Sequence, residues 1–236
     1  MSLLSSILLG LIQGLAEFLP ISSSGHLAIA EHFLGQAGVP ATPDFFDVLL
    51  HLGTLVAVFA AYWQDIRDMI VELIDGVRDL VRGTTPNPIP PARRMILLII
   101  VGTLPLFVVL PIKDLVEGAM SNVTFVSFAL LATGFILFFS DRMARGRKTE
   151  RTATVLDALL VGCAQALGTL PGISRSGITI SAGMLRGYDR TFAVRFSFLM
   201  SLPAVFGATL LELIDAVQAG IDTSLLPVYL VGMLVA

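Results

Sequence analysis

Gln13-Gly14-Leu15-Ala16-Glu17-Phe18-Leu19-Pro20-Ile21-Ser22-Ser23-Ser24-Gly25-His26 sets a carboxylate, three serines and a histidine inside an otherwise apolar segment. A bilayer tolerates such groups poorly, so they demand a reason for being there. The chain nearly repeats the stretch as Gln165-Ala166-Leu167-Gly168-Thr169-Leu170-Pro171-Gly172-Ile173-Ser174-Arg175-Ser176-Gly177, displaced by 152 positions. Chance resemblance between apolar runs is the bland explanation, but Ser and Gly match as well as aliphatics. One break is acidic and the other cationic, which reads as two halves of one site.

The surrounding composition belongs to a membrane. Of 236 residues, 55% are hydrophobic and 14% charged, and the mean hydropathy of +0.86 is far above that of soluble domains. Apolar stretches near 3–19, 47–63, 95–112, 121–140, 155–171, 191–211 and 225–236 approach the roughly 20 residues that cross a bilayer core. The single Cys163 excludes an internal disulfide. No charged n-region with a small-residue cleavage site opens the chain, so no removable signal peptide is expected. The run from Leu225 to Ala236 is too short to span alone, which predicts a partial last helix or a C-terminal piece beyond it.

Charge orients these stretches. Thirteen of the fifteen Lys and Arg fall in 64–94, in 142–151 and in 186–195, and the positive-inside rule places all three in the cytoplasm. The 31–46 and 212–224 connections carry no Lys or Arg and should face outward, with Lys113 the one basic residue expected outside. Threading outward from 141–151 makes 152–188 leave the inside and return there, as a re-entrant hairpin with its tip at Pro171-Gly172. The pseudo-repeat makes 3–32 the matching hairpin from outside, tip at Pro20. Leu55-Val56-Ala57-Val58-Phe59 also echoes Leu202-Pro203-Ala204-Val205-Phe206, at a displacement of 147. The expected fold is therefore an all-α polytopic membrane protein forming one domain over 1–236. Repeat 1 covers about 1–140 and repeat 2 about 152–236, related as an inverted-topology repeat with two re-entrant helical hairpins meeting near the midplane. Residues 64–82 alternate apolar and charged groups at helical spacing. They predict an amphipathic helix on the inner surface, or one packed on the protein alone. Thr84 to Pro91 reads as a loop and helix breaker, and Tyr62-Trp63 as an interfacial anchor.

The two breaks carry the chemistry. Pro171 and Gly172 free backbone groups, Ser174 and Ser176 supply hydroxyls, and Arg175 supplies a guanidinium fork. With helix N-terminal amides starting near Gly177, they make an anion site suited to phosphate. A structural Arg paired with an acid would need no flanking serines and glycines. In the first break Glu17 replaces Thr169 and His26 replaces Ile178. Gln13 and Glu17 share a helix face. Glu, His and hydroxyl together suit nucleophile activation or proton relay, whereas Glu alone would suit proton or metal binding in a transporter, and the Ser-Gly-His run alone would suit capping. His32 reads as interfacial, and His51, near Asp47 at helical spacing, as a supporting group. There is no Walker loop, no Cys/His metal cluster and no nucleic-acid signature.

These residues resemble the undecaprenyl-diphosphate phosphatase family of the bacitracin-resistance type. Its (Glu/Gln)-x-x-x-Glu element stands here as Gln13 to Glu17, its Pro-x-Ser-Ser-x-Gly-His element as Pro20 to His26, and its Pro-Gly-x-Ser-Arg-Ser-x-x-Thr element as Pro171 to Thr179. Gln13 occupies a position where other members carry Glu. The likeness runs along nearly the whole chain, including Phe196-Ser197-Phe198-Leu199, and family chains usually continue for a few dozen residues more. It implies hydrolysis of undecaprenyl diphosphate in the bacterial inner membrane at a site open to the periplasmic face, often in a homodimer. Within it, Glu17, Ser23, His26 and Arg175 are the catalytic candidates. Gln13, Ser22, Ser24, Gly25, Gly172, Ser174, Ser176, Gly177 and Thr179 are the substrate-binding candidates. Ser23 is the first choice of nucleophile, with His26 its rival. A divalent cation (Mg²⁺ or Ca²⁺) is the implied cofactor, with Glu17 the one nearby hard ligand, and the partners are the polyprenyl diphosphate lipid and the membrane. The competing class is a transporter or lipid flippase, whose architecture also uses inverted hairpins.

Overall fold

A computed structural model describes residues 1–39, 43–84, 86–143, 145–219 and 223–236. The tips of both connections expected outside, 40–42 and 220–222, lie outside the described residues, as do Thr85 in the predicted loop and the side chain of Lys113.

Most of the chain's described residues are helical. Its α-helices are α1 (Leu3–Phe18), α2 (Ser23–Gln36), α3 (Asp44–Ala61), α4 (Trp63–Arg82), α5 (Pro91–Thr103), α6 (Lys113–Gly118), α7 (Val123–Met143), α8 (Val155–Leu167), α9 (Arg175–Leu185), α10 (Arg190–Ala219) and α11 (Leu226–Val235). No strand forms among the described residues; Lys148 and Tyr188 make a single bridge. Three segments are long and apolar enough to cross a bilayer: Pro91–Ile112, where 3₁₀ turns extend α5, Val123–Arg142 and Arg190–Asp215. The molecule is a polytopic membrane protein. Its surface shows Phe128, Phe135 and Leu234, each more than 60% exposed, while Gln13, Asp157 and Gln165 are fully buried. A soluble protein distributes these types the other way round.

Helix α4 turns 77° away from α3. It has the strongest two-sided character of any helix here, with Ile70, Leu73, Ile74, Val77 and Val81 exposed between charged residues. Gly83, in the left-handed region at φ 67°, ends it.

Two helical hairpins, α1–α2 and α8–α9, carry the polar breaks, and each packs its second helix on α7. Their first helices make matching crossings, α1 on α11 and α8 on α5. Both crossings depend on glycine. A Cβ on Gly10 would fall 2.5 Å from the Gly232 carbonyl oxygen, and one on Gly162 would strike that of Gly102. Gly10 and Gly162 are again 152 positions apart. Close backbone approach of this kind replaces the hydrophobic drive that lipid removes between helices.

The three basic segments meet at one end. Arg186 and Lys148 both pair with the fully buried Asp157, Arg195 pairs with Glu150 and Asp65, Arg93 with Glu72 and Asp79, and Arg190 with Asp141. The Arg94 guanidinium donates to the Ala153 carbonyl. Thr154 and Asp157 also form a capping box that starts α8.

Candidate active site

The hairpin tips interlock through glycine. A Cβ on Gly25 would lie 2.9 Å from the Gly172 Cα, and one on Gly177 would lie 2.8 Å from the Pro20 carbonyl oxygen. These contacts are reciprocal, because Gly25 aligns with Gly177 and Pro20 with Gly172. Gly172 sits at φ 86°, where an L side chain is strained, and its would-be Cβ also meets the Val126 carbonyl of α7. Thr133 of α7 pins this tip, donating to the Gly172 carbonyl at 2.9 Å and accepting from the Ser174 amide at 3.0 Å.

Both second helices start with the same device. Ser22 caps α2 by accepting from the Gly25 amide at 3.3 Å, and Ser174 caps α9 by accepting from the Gly177 amide at 3.0 Å. Ser22 and Ser24 hydroxyls pair at 3.3 Å, and those of Ser174 and Ser176 at 3.4 Å. Helix α9 therefore begins at Arg175, ahead of the start expected near Gly177. The Gly25 and Gly177 amides are taken by the caps, so these glycines serve close packing. The amides of Ser23, Ser24, Arg175 and Ser176, in the first turns, have no intrahelical partner. Two helix N-termini thus converge on one spot, a favourable setting for an anion.

Glu17 joins the hairpins. Its Oε1 accepts from Arg175 Nη2 at 3.1 Å, and its Oε2 accepts the Ser23 hydroxyl at 2.5 Å. The Gln13 amide approaches Oε2 at 3.5 Å. A hydroxyl held this closely by a carboxylate is in the range of charge-assisted bonds. Glu17 and Arg175 side chains are 18% and 24% exposed, sheltered yet reachable. His26 donates Nδ1–H to the Ser22 carbonyl at 2.7 Å, and since a carbonyl only accepts, this leaves Nε2 as the free nitrogen. The residue making that turn, Ser22, is held at φ 73°, a conformation costly for any residue but glycine.

Thr179 supports the site from behind. Its hydroxyl donates to the Arg175 carbonyl at 2.8 Å and pairs with Ser197 of α10 at 2.5 Å, which anchors the first turn of α9. Thr133 and Ser197 escape a reading of the sequence as site residues. The only available signal is a lone hydroxyl in an apolar stretch. Among the described residues no group of three or more His, Cys, Asp or Glu side chains gathers as a metal site. Glu17, the expected hard ligand, already engages both oxygens and abuts a guanidinium, so this donor set does not fit a protein-held cation.

Fold and site together define a class: a polytopic helical membrane protein whose paired hairpins join a carboxylate–serine couple to an arginine at the start of the facing helix. The family model for the bacitracin resistance protein BacA matches residues 6–236, and the chain belongs to that family. It is 44% identical to an undecaprenyl-diphosphatase of Syntrophotalea carbinolica, over 100% of this chain and 85% of that one. It is also 40% identical to an undecaprenyl-diphosphatase of Methanosphaera stadtmanae, over 96% and 82% of the two chains. A third, from Alkaliphilus metalliredigens, is 39% identical over 99% and 85%.

Proposed function

We propose that this protein is a phosphatase that hydrolyses undecaprenyl diphosphate to undecaprenyl phosphate and inorganic phosphate. That activity recycles the lipid carrier of cell-wall synthesis and confers bacitracin resistance. Relatives that carry the diphosphatase name across nearly the full chain support it, and a lipid transporter is not favoured. The structural observation that carries it is the Ser23–Glu17–Arg175 chain of hydrogen bonds across the two tips.

The mechanism rests on competition for Arg175. A diphosphate bound by Arg175, the hydroxyls of Ser174 and Ser176 and the first-turn amides draws the guanidinium away from Glu17. Glu17 is then free to take the Ser23 proton. Ser23 Oγ attacks the terminal phosphorus, the bridging P–O bond breaks, and its electron pair leaves with undecaprenyl phosphate. Water then attacks the phosphoserine, the P–Oγ bond breaks, and inorganic phosphate departs. The free Nε2 of His26 gives the second reading of the first step, with the imidazole as nucleophile. A divalent cation bound with the substrate would, in this proposal, neutralise charge on the diphosphate.

In the same proposal the two hairpins are re-entrant halves of an inverted repeat, the ionic end faces the cytoplasm, and the tips open to the periplasmic side of the inner membrane. The reciprocal glycine contacts support the repeat, and the gathering of the three basic segments supports the orientation. The polyprenyl tail stays in lipid while the head group enters. A homodimer rests on family resemblance alone.

Phosphate release from undecaprenyl diphosphate by purified protein in detergent tests the reading. Arg175→Ala should lower it by about 10³-fold, the loss typical of removing a transition-state anion donor. Equal rates in wild type and variant would refute it.

A further inference from the structure

His51 is a second imidazole at this site that the mechanism leaves unused. It lies mid-way along α3, which packs on α1. Leu27, the residue after His26, and Leu50, the residue before His51, share one buried cluster with Leu9 of α1. Leu9, Gln13 and Glu17 recur at four-residue intervals and fall on one face of α1. Gly14 of α1 and Gly53 of α3 both lie against Ala236, which brings the His51 turn of α3 beside the turn of α1 that carries Gln13. The His51 ring lies within electrostatic reach of the Glu17 carboxylate.

The ring is held as that of His26 is. His51 Nδ1–H donates to the Asp47 carbonyl four residues back at 3.0 Å, and His26 does the same toward Ser22. Nδ1 is committed in both, and Nε2 of His51 makes no hydrogen bond among the described residues. A half-buried imidazole with one nitrogen tethered and the other unengaged, beside a carboxylate and an anion site, is arranged to meet a ligand rather than to fill a core.

We propose that His51 is a further residue of the diphosphate site and meets the bound anion through Nε2. Nδ1 keeps its bond to the Asp47 carbonyl while Nε2 meets a phosphate oxygen, adding to the grip of Arg175. This rests on the phosphatase reading, and its test separates the two.

Three variants distinguish a binding role from a structural one. His51→Leu removes both nitrogens. His51→Asn retains an amide near Nδ1 but does not reach the site. His51→Gln places an amide donor near Nε2. Steady-state hydrolysis of undecaprenyl diphosphate should show KM raised about tenfold in the Leu and Asn variants, with kcat within about twofold, and KM restored to within about threefold in the Gln variant. A wild-type KM in the Leu variant, or rescue by Asn instead of Gln, overturns the proposal. If the Leu variant does not fold, the Asn and Gln pair decides alone. Failure of the phosphatase reading looks different, as wild-type protein without turnover. The affinities of the same proteins for undecaprenyl diphosphate then carry the test, and the same order supports the proposal while its reversal overturns it.

Discussion

The two hairpin tips share a backbone design and differ in the side chains it carries. Each begins its second helix with a capping serine, carries a second serine two residues on, and buries a glycine against the other tip. At equivalent positions, however, stand Ser23 and Arg175, Glu17 and Thr169, His26 and Ile178. Ser23 and Arg175 reach the same carboxylate from opposite sides, each as the first residue of its helix. Thr169, where the second tip lacks an acid, turns back to the Ala166 carbonyl at 2.7 Å. On matching backbone geometry the two tips carry side chains of complementary charge.

The largest effect should come from replacing the equivalent residues Glu17 and Thr169 one at a time. Glu17→Gln should lower phosphate release by about 10²–10⁴-fold, because it removes both the proton acceptor for Ser23 and the partner of Arg175. Thr169→Val should stay within about threefold. Similar losses in both would erase the division of labour.

A smaller effect, on stability, separates the open ends of the hairpins. Asp157 is fully buried between Lys148 and Arg186, whereas its counterpart Ser5 bonds to Ser2. Asp157→Asn should cost about 2–3 kcal/mol, reduced from the full cost of breaking a buried pair because both cations reach solvent. Ser5→Ala, which loses only the hydroxyl bond to Ser2, should cost about 1 kcal/mol. Thermal unfolding in detergent reads both. Burial alone would raise the Asp157 carboxyl, but Lys148, the Thr154 amide and Arg186 together hold it well below the usual carboxylate range. The folded-state value thus lies under the unfolded one. Its stabilisation is full above a pH of about 4 and fades as the pH falls toward the folded-state value. Wild type should therefore lose stability on acidification more steeply than Asp157→Asn, and parallel curves would show that Asp157 is not the group responsible.

Much of this fold is legible from local features. Pro20, Pro171 and Gly172 break apolar runs, Ser22 and Ser174 cap the helices after them, and the alternation in 64–82 announces α4. The start of α9 is harder to place, because Ser174 reads as a ligand before it reads as a cap. The features that stay hidden depend on distant partners. Gly102 and Gly232 look like any glycine in an apolar helix until a second backbone lies against them. Thr133 and Ser197 acquire meaning only when α7 and α10 reach the second tip. The spacing of His51 from Asp47 shows only a supporting group, and its place beside α1 comes from packing.

The central claim is that the first tip supplies the reacting atom and the second tip holds the anion. Rapid acid quench during turnover of undecaprenyl diphosphate labelled in its terminal phosphate, followed by peptide mapping, tests it most directly. Label should appear on Ser23, and Glu17→Gln should abolish it. Label on His26 would keep the chemistry on the first tip but replace Ser23 as the nucleophile. Label on Ser174 or Ser176 would contradict the account, because the second tip would then be doing the chemistry.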